Sequence, residues 1–292
     1  MSASPLSEAQ INLLCTESAP RVEQLRSTLR GYGSALIAFS GGVDSTLVLK
    51  FAVEELGEAA VALTALSASV APDEAEEARA LARKIGARHV VVDSNELDDP
   101  RYAANPSNRC YFCKSELYSI TDRHKASLGL AVVLDGFNAD DKKDHRPGHQ
   151  AAREHAVRSP LAEAQLTKAE VRAWSHRLGL PTWDKPQMAC LASRLPYGTQ
   201  VTVERLKQIG AAERAVRALG FTNFRVRYHQ DVARLELAAD ELPRLLDPET
   251  RAQLNAAIKA QGFTFVALDL EPFRSGRLND ALRSGISLPV VS

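Results

Sequence analysis

The sequence predicts an α/β protein, a parallel sheet covered by helices, followed by a small α+β domain. Three observations support this prediction. Between residues 34 and 194, short apolar segments alternate with amphipathic helical segments, which is typical of parallel sheets. A glycine-rich loop joins the first apolar segment to the next helical one. Past residue 195 the alternation ends and two adjacent strand patterns lie between helices, so we predict domains 1–194 and 195–292.

The elements of the first domain follow from hydrophobic periodicity. A helical pattern opens the chain and is expected to break around Ser18–Pro20, because proline lacks the backbone N–H that a helix needs. The capping-box pair Thr167 and Glu170 marks the start of the last helix. The remaining predictions, in chain order, are strand 34–40, helix 44–57, strand 60–67, helix 72–86, strand 88–94, helix 114–129, strand 131–137 and helix 167–179.

The second domain shows a different order of patterns. Alternating apolar and polar residues predict two neighbouring strands, and longer amphipathic stretches predict the helices around them. In chain order these are helix 203–220, strand 224–229, strand 233–238, helical segment 239–262 and strand 263–270.

The composition excludes some classes of function. The chain of 292 residues carries 36 basic and 36 acidic residues, so it lacks the basic excess of proteins that grip long nucleic acids. No secretory leader and no apolar run of membrane-spanning length are recognisable, so we expect a cytoplasmic protein that binds neither membrane nor nucleic acid. Because cytoplasmic disulfides are rare, the four cysteines are expected to pack, bind or react.

The loop SGGVDST, residues 40–46, has the features of a phosphate-binding loop. Gly41 and Gly42 allow a tight turn that exposes backbone N–H groups, and Asp44 begins a helix whose N-terminus favours anions. The loop lacks the lysine of the Walker motif and the third glycine of the dinucleotide motif. A glycine-rich turn without a ligand is the alternative. The side chains that the loop offers a ligand are Ser40, Asp44, Ser45 and Thr46.

Cys110 and Cys113 form a C-x-x-C pair with three interpretations. They are two packed thiols, part of a zinc site that also uses Cys190 and one of two histidines, or ligands of an iron–sulfur cluster shared with Cys190. The histidines considered for zinc are His145 and His149.

The other two cysteines have different surroundings. Cys190 lies in a loop flanked by prolines, and is either a small buried residue or a reactive thiolate favoured by the nearby Arg194. Cys15 falls within an apolar helical pattern and is interpreted as a packing residue.

The loop resembles the PP-loop, S-G-G-x-D-S-[ST], of the ATP pyrophosphatase superfamily, which has the adenine nucleotide α-hydrolase-like fold. Between residues 21 and 280 the chain resembles the LarE family more closely. LarE proteins are ATP-dependent sulfur-inserting enzymes that help to make the nickel-pincer nucleotide of lactate racemase. The segments that carry this resemblance are VVLDGFNADDKKDHRPG (132–148), ACLASRLPYGT (189–199), FRVRYHQDVARLEL (224–237) and LDLEPFRSGRLND (268–280).

The resemblance implies a substrate and a reaction. ATP would adenylate each carboxylate of pyridinium-3,5-dicarboxylate mononucleotide, and sulfur would then replace the adenylate to give a thiocarboxylate. By the same resemblance Asp44 would also bind Mg²⁺, Ser67 would contact adenine, and the chain would form a homo-oligomer, expected to be a hexamer. The residues implied to bind the pyrophosphate are Ser40, Gly41, Gly42, Asp44, Ser45 and Thr46.

The family has two forms that differ in their sulfur source. In one, three cysteines hold a 4Fe–4S cluster; Cys110, Cys113 and Cys190 match this form, which we favour. In the other, a single cysteine at the position of Cys190 gives up its own sulfur and becomes dehydroalanine.

Other polar residues receive weaker assignments. Arg225 and Arg227 alternate along one strand and are expected to hold the phosphate of the mononucleotide or of AMP, unless they form a solvated face. Residues assigned to a possible metal site, or else to solvated surface, are Glu213, Glu236 and Asp240. Residues assigned to the loop after a strand, where they line the site or simply face solvent, are Asp135, Asp140 and Arg146. Arg274 and Arg277 receive no role.

Three rival functions predict different features of the sequence. A tRNA thiolase would show a basic RNA-binding surface, and an amide-forming ligase would need an ammonia source; neither is recognisable in the sequence. A non-enzymatic sensor of adenine nucleotides would need the loop but not the thiols.

Overall fold

The computed structural model describes residues 6–70, 72–143, 147–186 and 189–280. Contacts between residues group the chain into two compact units. Within the described residues, the N-terminal unit contains residues 6–96 and 108–186, and the C-terminal unit contains residues 97–107 and 189–280. This division lies near the predicted boundary between residues 194 and 195, which stays a prediction.

The predicted strands and helices occur in the predicted order, and three further helices, at residues 100–103, 147–154 and 160–163, were not predicted. The strands are β1 (Ala35–Ala38), β2 (Ala60–Leu66), β3 (Arg88–Asp93), β4 (Val132–Leu134), β5 (Phe224–His229), β6 (Val232–Leu237) and β7 (Phe265–Leu268). The helices are α1 (Glu8–Tyr32), α2 (Val43–Leu56), α3 (Pro72–Ile85), α4 (Pro100–Ala103), α5 (Arg109–Ser127), α6 (Pro147–Glu154), α7 (Pro160–Glu163), α8 (Lys168–Arg177), α9 (Val203–Ala218) and α10 (Pro248–Lys259).

The N-terminal unit is built on a parallel sheet with strand order β3-β2-β1-β4, which confirms the predicted fold class. Ala35 of β1 lies opposite Ala60 of β2 and Val132 of β4. Neighbouring residues of β1 pack on opposite faces: Leu36 belongs to one apolar cluster and Ile37 to another. Both faces of the central strand are therefore covered, as its continuous apolar sequence requires.

Helix α1 is continuous, so the predicted break around Ser18–Pro20 is wrong. Pro20 lies inside the helix, where it removes one backbone hydrogen bond. The apolar face stays buried on both sides of it, with Ile11 and Cys15 before the proline and Val22, Leu25 and Leu29 after it. The Ser18 hydroxyl is also buried, donating to the Leu14 carbonyl and accepting from Trp174 Nε1. Tertiary packing therefore outweighs the local cost of the proline.

Helix ends agree with the capping signals of the sequence. The Thr167–Glu170 capping box at the start of α8 is present, and Gly57 follows the end of α2 as predicted. Helix α5 begins at Arg109, earlier than predicted, so the C-x-x-C pair lies within its first turns. Cys15 is fully buried on α1, which confirms its interpretation as a packing residue, and burial raises the pKa of its thiol.

The C-terminal unit contains the sheet β5-β6-β7, in which β5 and β6 are antiparallel and β7 runs parallel to β6. Helices α9 and α10 belong to the same unit. This arrangement confirms the predicted α+β character. Across the part of the chain that the structure describes, no helix combines the length and apolarity needed to cross a membrane.

Candidate active site

A pocket opens at the carboxyl ends of β1, β2 and β4 in the N-terminal unit, where ligands bind in open α/β sheets. The loop between β1 and α2 forms one wall, and the residues that follow β4 form another. The loop residues that line it are Ser40, Gly42, Val43, Asp44 and Ser45.

Gly41 and Gly42 suit their positions in the loop for different physical reasons. Gly41 has a φ of 68°, in the left-handed region that favours glycine, and a Cβ there would lie 3.4 Å from Ala78 on α3. The Ser40 and Ser45 hydroxyl oxygens are 3.2 Å apart, and Ser45 Oγ also donates to the Gly42 carbonyl. Because Gly42 is the N-cap of α2, the exposed N–H groups and the helix dipole face the pocket together.

Asp44 lies in a ring of hydrogen bonds. Its Oδ1 accepts from Asn138 Nδ2 at 3.0 Å, and its Oδ2 lies 2.5 Å from Lys168 Nζ. Asp140 completes the ring, because its backbone N–H donates to Asn138 Oδ1 and its carboxylate accepts from the backbone N–H of Lys168. The ring joins the PP-loop to the segment after β4 and to the start of α8. Asp140 thus supports the site, although it does not line the pocket.

Two further lysines reach the pocket from distant parts of the chain. Lys185 Nζ lies 2.8 Å from Glu77 Oε2 on α3 and 3.3 Å from the Gly41 carbonyl oxygen. Lys114 projects from α5, with its ammonium 5.6 Å from the Tyr118 ring centre and 5.8 Å from that of Phe137. The absence of the Walker lysine is apparent from the sequence. The positions of Lys114 and Lys185 at the pocket are not, since no motif places them near the loop.

Asp135 lies at the end of β4 and lines the pocket, as expected. Its Oδ2 accepts from the Tyr118 hydroxyl at 3.0 Å, and its Oδ1 accepts from the Phe137 N–H at 3.1 Å. Burial raises the pKa of this carboxyl group, and burial also raises the pKa of the Tyr118 phenol, as does the neighbouring Asp135. This buried pair fixes α5 to the strand end beneath the pocket.

Two predicted ligand-binding residues lie away from the pocket wall. Thr46 is fully buried behind the loop, and its backbone N–H donates to the Gly42 carbonyl. Ser67 lies in the turn after β2, where its hydroxyl accepts from the Ser69 N–H. Thr64 and Ala65 line the pocket from β2 instead. The roles of Thr46 and Ser67 in nucleotide binding stay predictions.

The pocket suits Mg²⁺ chemically. Mg²⁺ needs only one or two carboxylates when phosphate oxygens and water complete its shell. Asp44 and Asp141 both line the pocket, and the Lys168 ammonium already marks a cation position beside Asp44. A magnesium ion at Asp44 would replace Lys168 there.

The three cysteines assigned to sulfur chemistry fall in both units. Cys110, at the start of α5, is exposed and Cys113 is half-buried; three residues apart on one helix, they share a face and can supply two ligands. The exposed Cys190 belongs to the C-terminal unit. In the described ranges no three His, Cys, Asp or Glu side chains gather closely enough to hold a metal ion. The iron–sulfur cluster therefore stays a prediction.

The histidines considered for a zinc site give it no support. His149 stacks on Phe137, with the two ring centres 4.0 Å apart. His145 lies outside the described residues. The zinc interpretation thus gains no fourth ligand from the part of the chain that the structure describes.

The Cys190 loop is anchored by Arg194. The guanidinium donates to the Ala189 carbonyl at 2.6 Å and the Cys190 carbonyl at 3.1 Å. Its other N–H groups form a two-pronged ion pair with Glu213 at 2.8 and 2.9 Å. The contacts of Arg194 thus balance its charge with Glu213 and use its donors on the backbone; the expected stabilisation of a Cys190 thiolate by Arg194 stays a prediction.

The predicted arginines lie in one buried cluster of the C-terminal unit, which we call the ion cluster: Arg194, Glu213, Arg225, Arg227 and Glu236. Arg227 pairs with Glu236 at 2.9 Å and donates to the Ser193 carbonyl. Arg225 lies over the Phe273 ring at 4.6 Å, and burial and the nearby Arg194 lower its pKa to about 10. Glu236 also lies 3.4 Å from Arg234 and 3.8 Å from Arg277, so it is shared by three arginines.

Several weaker assignments are also resolved. Glu213 and Glu236 pair with arginines, and Asp240 is exposed, so these carboxylates do not surround a metal ion. The remaining arginines of the predicted loops pair with carboxylates, Arg274 with Asp280 and Arg277 with Asp269. Arg146 lies outside the described residues.

The chain is similar to one protein-family model and to several known proteins. The asparagine synthase family model matches residues 23–141, which include the loop and β1 to β4. The pyridinium-3,5-bisthiocarboxylic acid mononucleotide synthase of Lactiplantibacillus plantarum is 40% identical over 92% of this chain and 96% of its own. An uncharacterized protein of Synechocystis is 49% identical over 90% of this chain and 98% of its own. An uncharacterized protein of Methanocaldococcus jannaschii is 27% identical over 82% of this chain and 90% of its own.

Proposed function

The chain belongs to the LarE family of PP-loop enzymes, and we propose that it inserts sulfur into pyridinium-3,5-dicarboxylate mononucleotide at the expense of ATP. The observation that carries the proposal is the pocket at the strand ends, where the SGGVDST loop and three lysines surround a space for a nucleotide phosphate chain. A relative of similar length, matched over 96% of its chain, is named as the synthase of pyridinium-3,5-bisthiocarboxylic acid mononucleotide, which would be the product of this reaction.

The first step joins a ring carboxylate to AMP. A carboxylate oxygen attacks the α-phosphorus of ATP, an O–P bond forms, and the bond from that phosphorus to the bridging oxygen breaks to release pyrophosphate. A carboxylate resists nucleophiles because it is anionic and lacks a good leaving group, and the adenylate removes both obstacles.

The loop residues are proposed to bind the departing pyrophosphate. The N–H groups at the start of α2 and the hydroxyls of Ser40 and Ser45 donate to its oxygens, while Lys168 and Lys185 lie close enough to balance its charge. Asp44 would hold Mg²⁺, which supplies charge neutralisation to the phosphates when bound. The helix dipole and the two lysines together replace the Walker lysine.

The second step replaces the adenylate with sulfur, and the proposed participants are Cys110, Cys113 and Cys190. In the cluster form they would be iron ligands, and an extra sulfide carried by the cluster would be the sulfur transferred; in the sacrificial form Cys190 alone would be the donor. The favoured 4Fe–4S form requires these three thiols to meet, with Cys110 and Cys113 supplying two ligands from one face of α5. The alternative form uses the Cys190 thiol alone: its sulfur attacks the acyl carbon, AMP leaves, and elimination across Cα–Cβ leaves dehydroalanine and a thiocarboxylate. Iron and acid-labile sulfide content of anaerobically purified protein separates the two forms.

Arg225 and Arg227 are proposed to bind the phosphate of the mononucleotide. Burial and then the nearby Arg194 lower the pKa of Arg225, and an added dianion beside this arginine would offset that shift, which supports the proposal. The family resemblance also supports a homo-hexamer, which light scattering coupled to size exclusion would test.

The test of the function is a reaction with ATP, Mg²⁺ and the dicarboxylate mononucleotide under anaerobic conditions. We expect pyrophosphate and AMP in equal amounts and a nucleotide whose mass reflects exchange of oxygen for sulfur. Loss of the elements of H₂S from Cys190 after one turnover would identify the sacrificial form. No mononucleotide-dependent pyrophosphate release from the purified protein would contradict the proposal, and transfer of sulfur to tRNA would replace it with the rival thiolase.

A further inference from the structure

The three lysines of the pocket differ in their partners. Lys168 pairs with Asp44, and Lys185 pairs with Glu77 and the Gly41 carbonyl, so both are held against the PP-loop. Lys114, in the part of the chain that the structure describes, has no carboxylate within ion-pair distance. Its charge is therefore the least tightly paired of the three, because Asp135 attracts it only from beyond ion-pair distance.

The surroundings of Lys114 hold its ammonium without using its donors. The Tyr118 and Phe137 rings lie 5.6 and 5.8 Å from Nζ, within the range of cation–π attraction. Both rings are fixed: Tyr118 is fully buried with its hydroxyl on Asp135, and Phe137 stacks on His149. Attraction by ring faces leaves the three N–H donors of an ammonium available.

The nearby Asp135 carboxyl group attracts the Lys114 ammonium, whose charge offsets part of the pKa rise that burial causes in that carboxyl, although the two form no ion pair within the described residues. Asp135 lies at the same end of the pocket, but its two oxygens accept from the Tyr118 hydroxyl and the Phe137 N–H. Lys114 also shares the first turns of α5 with the C-x-x-C pair, directly after Cys113 and one helical turn after Cys110. Lys114 thus reaches the pocket from the helix that carries Cys110 and Cys113, whereas Lys168 and Lys185 contact the loop residues Asp44 and Gly41.

We propose that Lys114 binds the carboxylate of the acceptor and thereby selects carboxylates over neutral groups of the same shape. This inference rests on the proposed function. As one carboxylate oxygen attacks the α-phosphorus, the Lys114 ammonium donates a hydrogen bond to the other oxygen and keeps its proton throughout. The same contact then holds the carbonyl oxygen of the acyl adenylate, whose carbon receives the sulfur.

The test compares two pyridinium mononucleotides that carry either a carboxylate or a carboxamide on the ring. Their binding is measured by calorimetry with Mg²⁺ and α,β-methylene-ATP, which cannot be split between the α- and β-phosphates. We expect the wild-type protein to prefer the carboxylate by about 10- to 100-fold, the value of a charged hydrogen bond. Lys114→Met should lose this preference while its affinity for the ATP analogue stays within about twofold, and Lys114→Arg should recover part of it.

Lys125→Met is the matched control, because Lys125 lies on the same helix α5, outside the pocket, and should leave the preference unchanged. Equal preference in wild type and Lys114→Met would overturn the inference, as would a loss of affinity for the ATP analogue alone, which would make Lys114 a nucleotide ligand. Lys114→Gln serves the same comparison if the methionine variant does not fold. These outcomes are separate from failure of the proposed function, which is the absence of acceptor-dependent pyrophosphate release in the wild-type protein.

Discussion

The PP-loop pocket and the ion cluster both concentrate charge, but they hold it differently. In the pocket, the side chains of Lys168 and Asp44 are 30% and 21% exposed, and their pair faces a cavity. In the ion cluster, Arg194 and Glu213 are 5% and 7% exposed and form two parallel hydrogen bonds. The Lys168–Asp44 pair is therefore exchangeable for a ligand, whereas the Arg194–Glu213 pair is part of the folded core.

The largest expected effect concerns the stability of the ion cluster. Glu213→Gln removes the carboxylate that balances Arg194 and leaves a buried unpaired charge, so we expect a loss of about 3–5 kcal/mol in the free energy of unfolding, measured by urea denaturation. Glu271→Gln is the control, since Glu271 pairs with Arg277 but is exposed, and should cost far less. Equal losses of unfolding free energy in the two variants would contradict the difference between buried and exposed ion pairs.

The second prediction addresses the exchangeable pair. Lys168→Met should lower the rate of pyrophosphate release about 100-fold, the size of the effect when one charge-stabilising donor is lost from a site. The unfolding free energy should change by less than about 1 kcal/mol, because the pair is partly exposed. Steady-state kinetics and urea denaturation of the same sample give both numbers. A stability loss as large as that of Glu213→Gln would show that Lys168 is structural.

A smaller effect is expected from crowding the loop. A Cβ at Gly136 would lie 2.8 Å from the Ser45 backbone nitrogen and 3.1 Å from Asp44 Cβ, so Gly136→Ala must displace the PP-loop. We expect about 1–3 kcal/mol lower stability, with weaker ATP binding by calorimetry. Gly31→Ala is the matched control: it lies in α1 with nothing within 4 Å of the added Cβ, and should stabilise the helix by up to about 1 kcal/mol. Unchanged ATP affinity in Gly136→Ala would mean that the loop tolerates displacement.

The smallest effect is a pH dependence beneath the pocket. Thr64 Oγ1 donates to the Phe39 carbonyl, so it accepts from His89 Nε2 at 2.8 Å, which requires that nitrogen to carry hydrogen. Burial and the nearby Arg79 lower the pKa of His89, so the unfolded chain binds the proton more readily. Stability should fall as the pH drops below about 6.5, the ordinary value for histidine. His89→Gln should flatten this decline in melting temperature between pH 7 and 5; an unchanged slope would remove His89 as its source.

Local patterns explain which parts of the fold were predictable. The order of strands and helices, the capping box at Thr167 and the glycine after α2 depend on neighbouring residues, and the structure confirms them. The continuity of α1 through Pro20 depends on packing against other helices, which no local signal contains. The early start of α5 likewise escaped prediction, because its first residues lack a clear apolar period.

The site was predictable where one segment supplies it. The PP-loop residues are contiguous, so the motif placed Ser40, Gly42, Asp44 and Ser45 on the pocket wall. Lys114, Lys168 and Lys185 come from three separate elements, and only the fold brings them to the loop. Similarly, Arg194 is near Cys190 in sequence, but its ion-pair partner Glu213 lies on the next helix, and the sequence offered only a metal site or a solvated surface for that carboxylate.

The chain path through α4 has a consequence for dissecting the protein. Residues 97–107 belong to the C-terminal unit although residues 108–186, which follow them, return to the N-terminal one. Asn105 of this excursion donates to the carbonyls of Pro196 and Thr199, and Val201 donates to the Ala103 carbonyl. A gene truncated to encode only residues 195–292 would omit this support. The C-terminal unit is therefore not expected to fold alone unless residues 97–107 are joined to it.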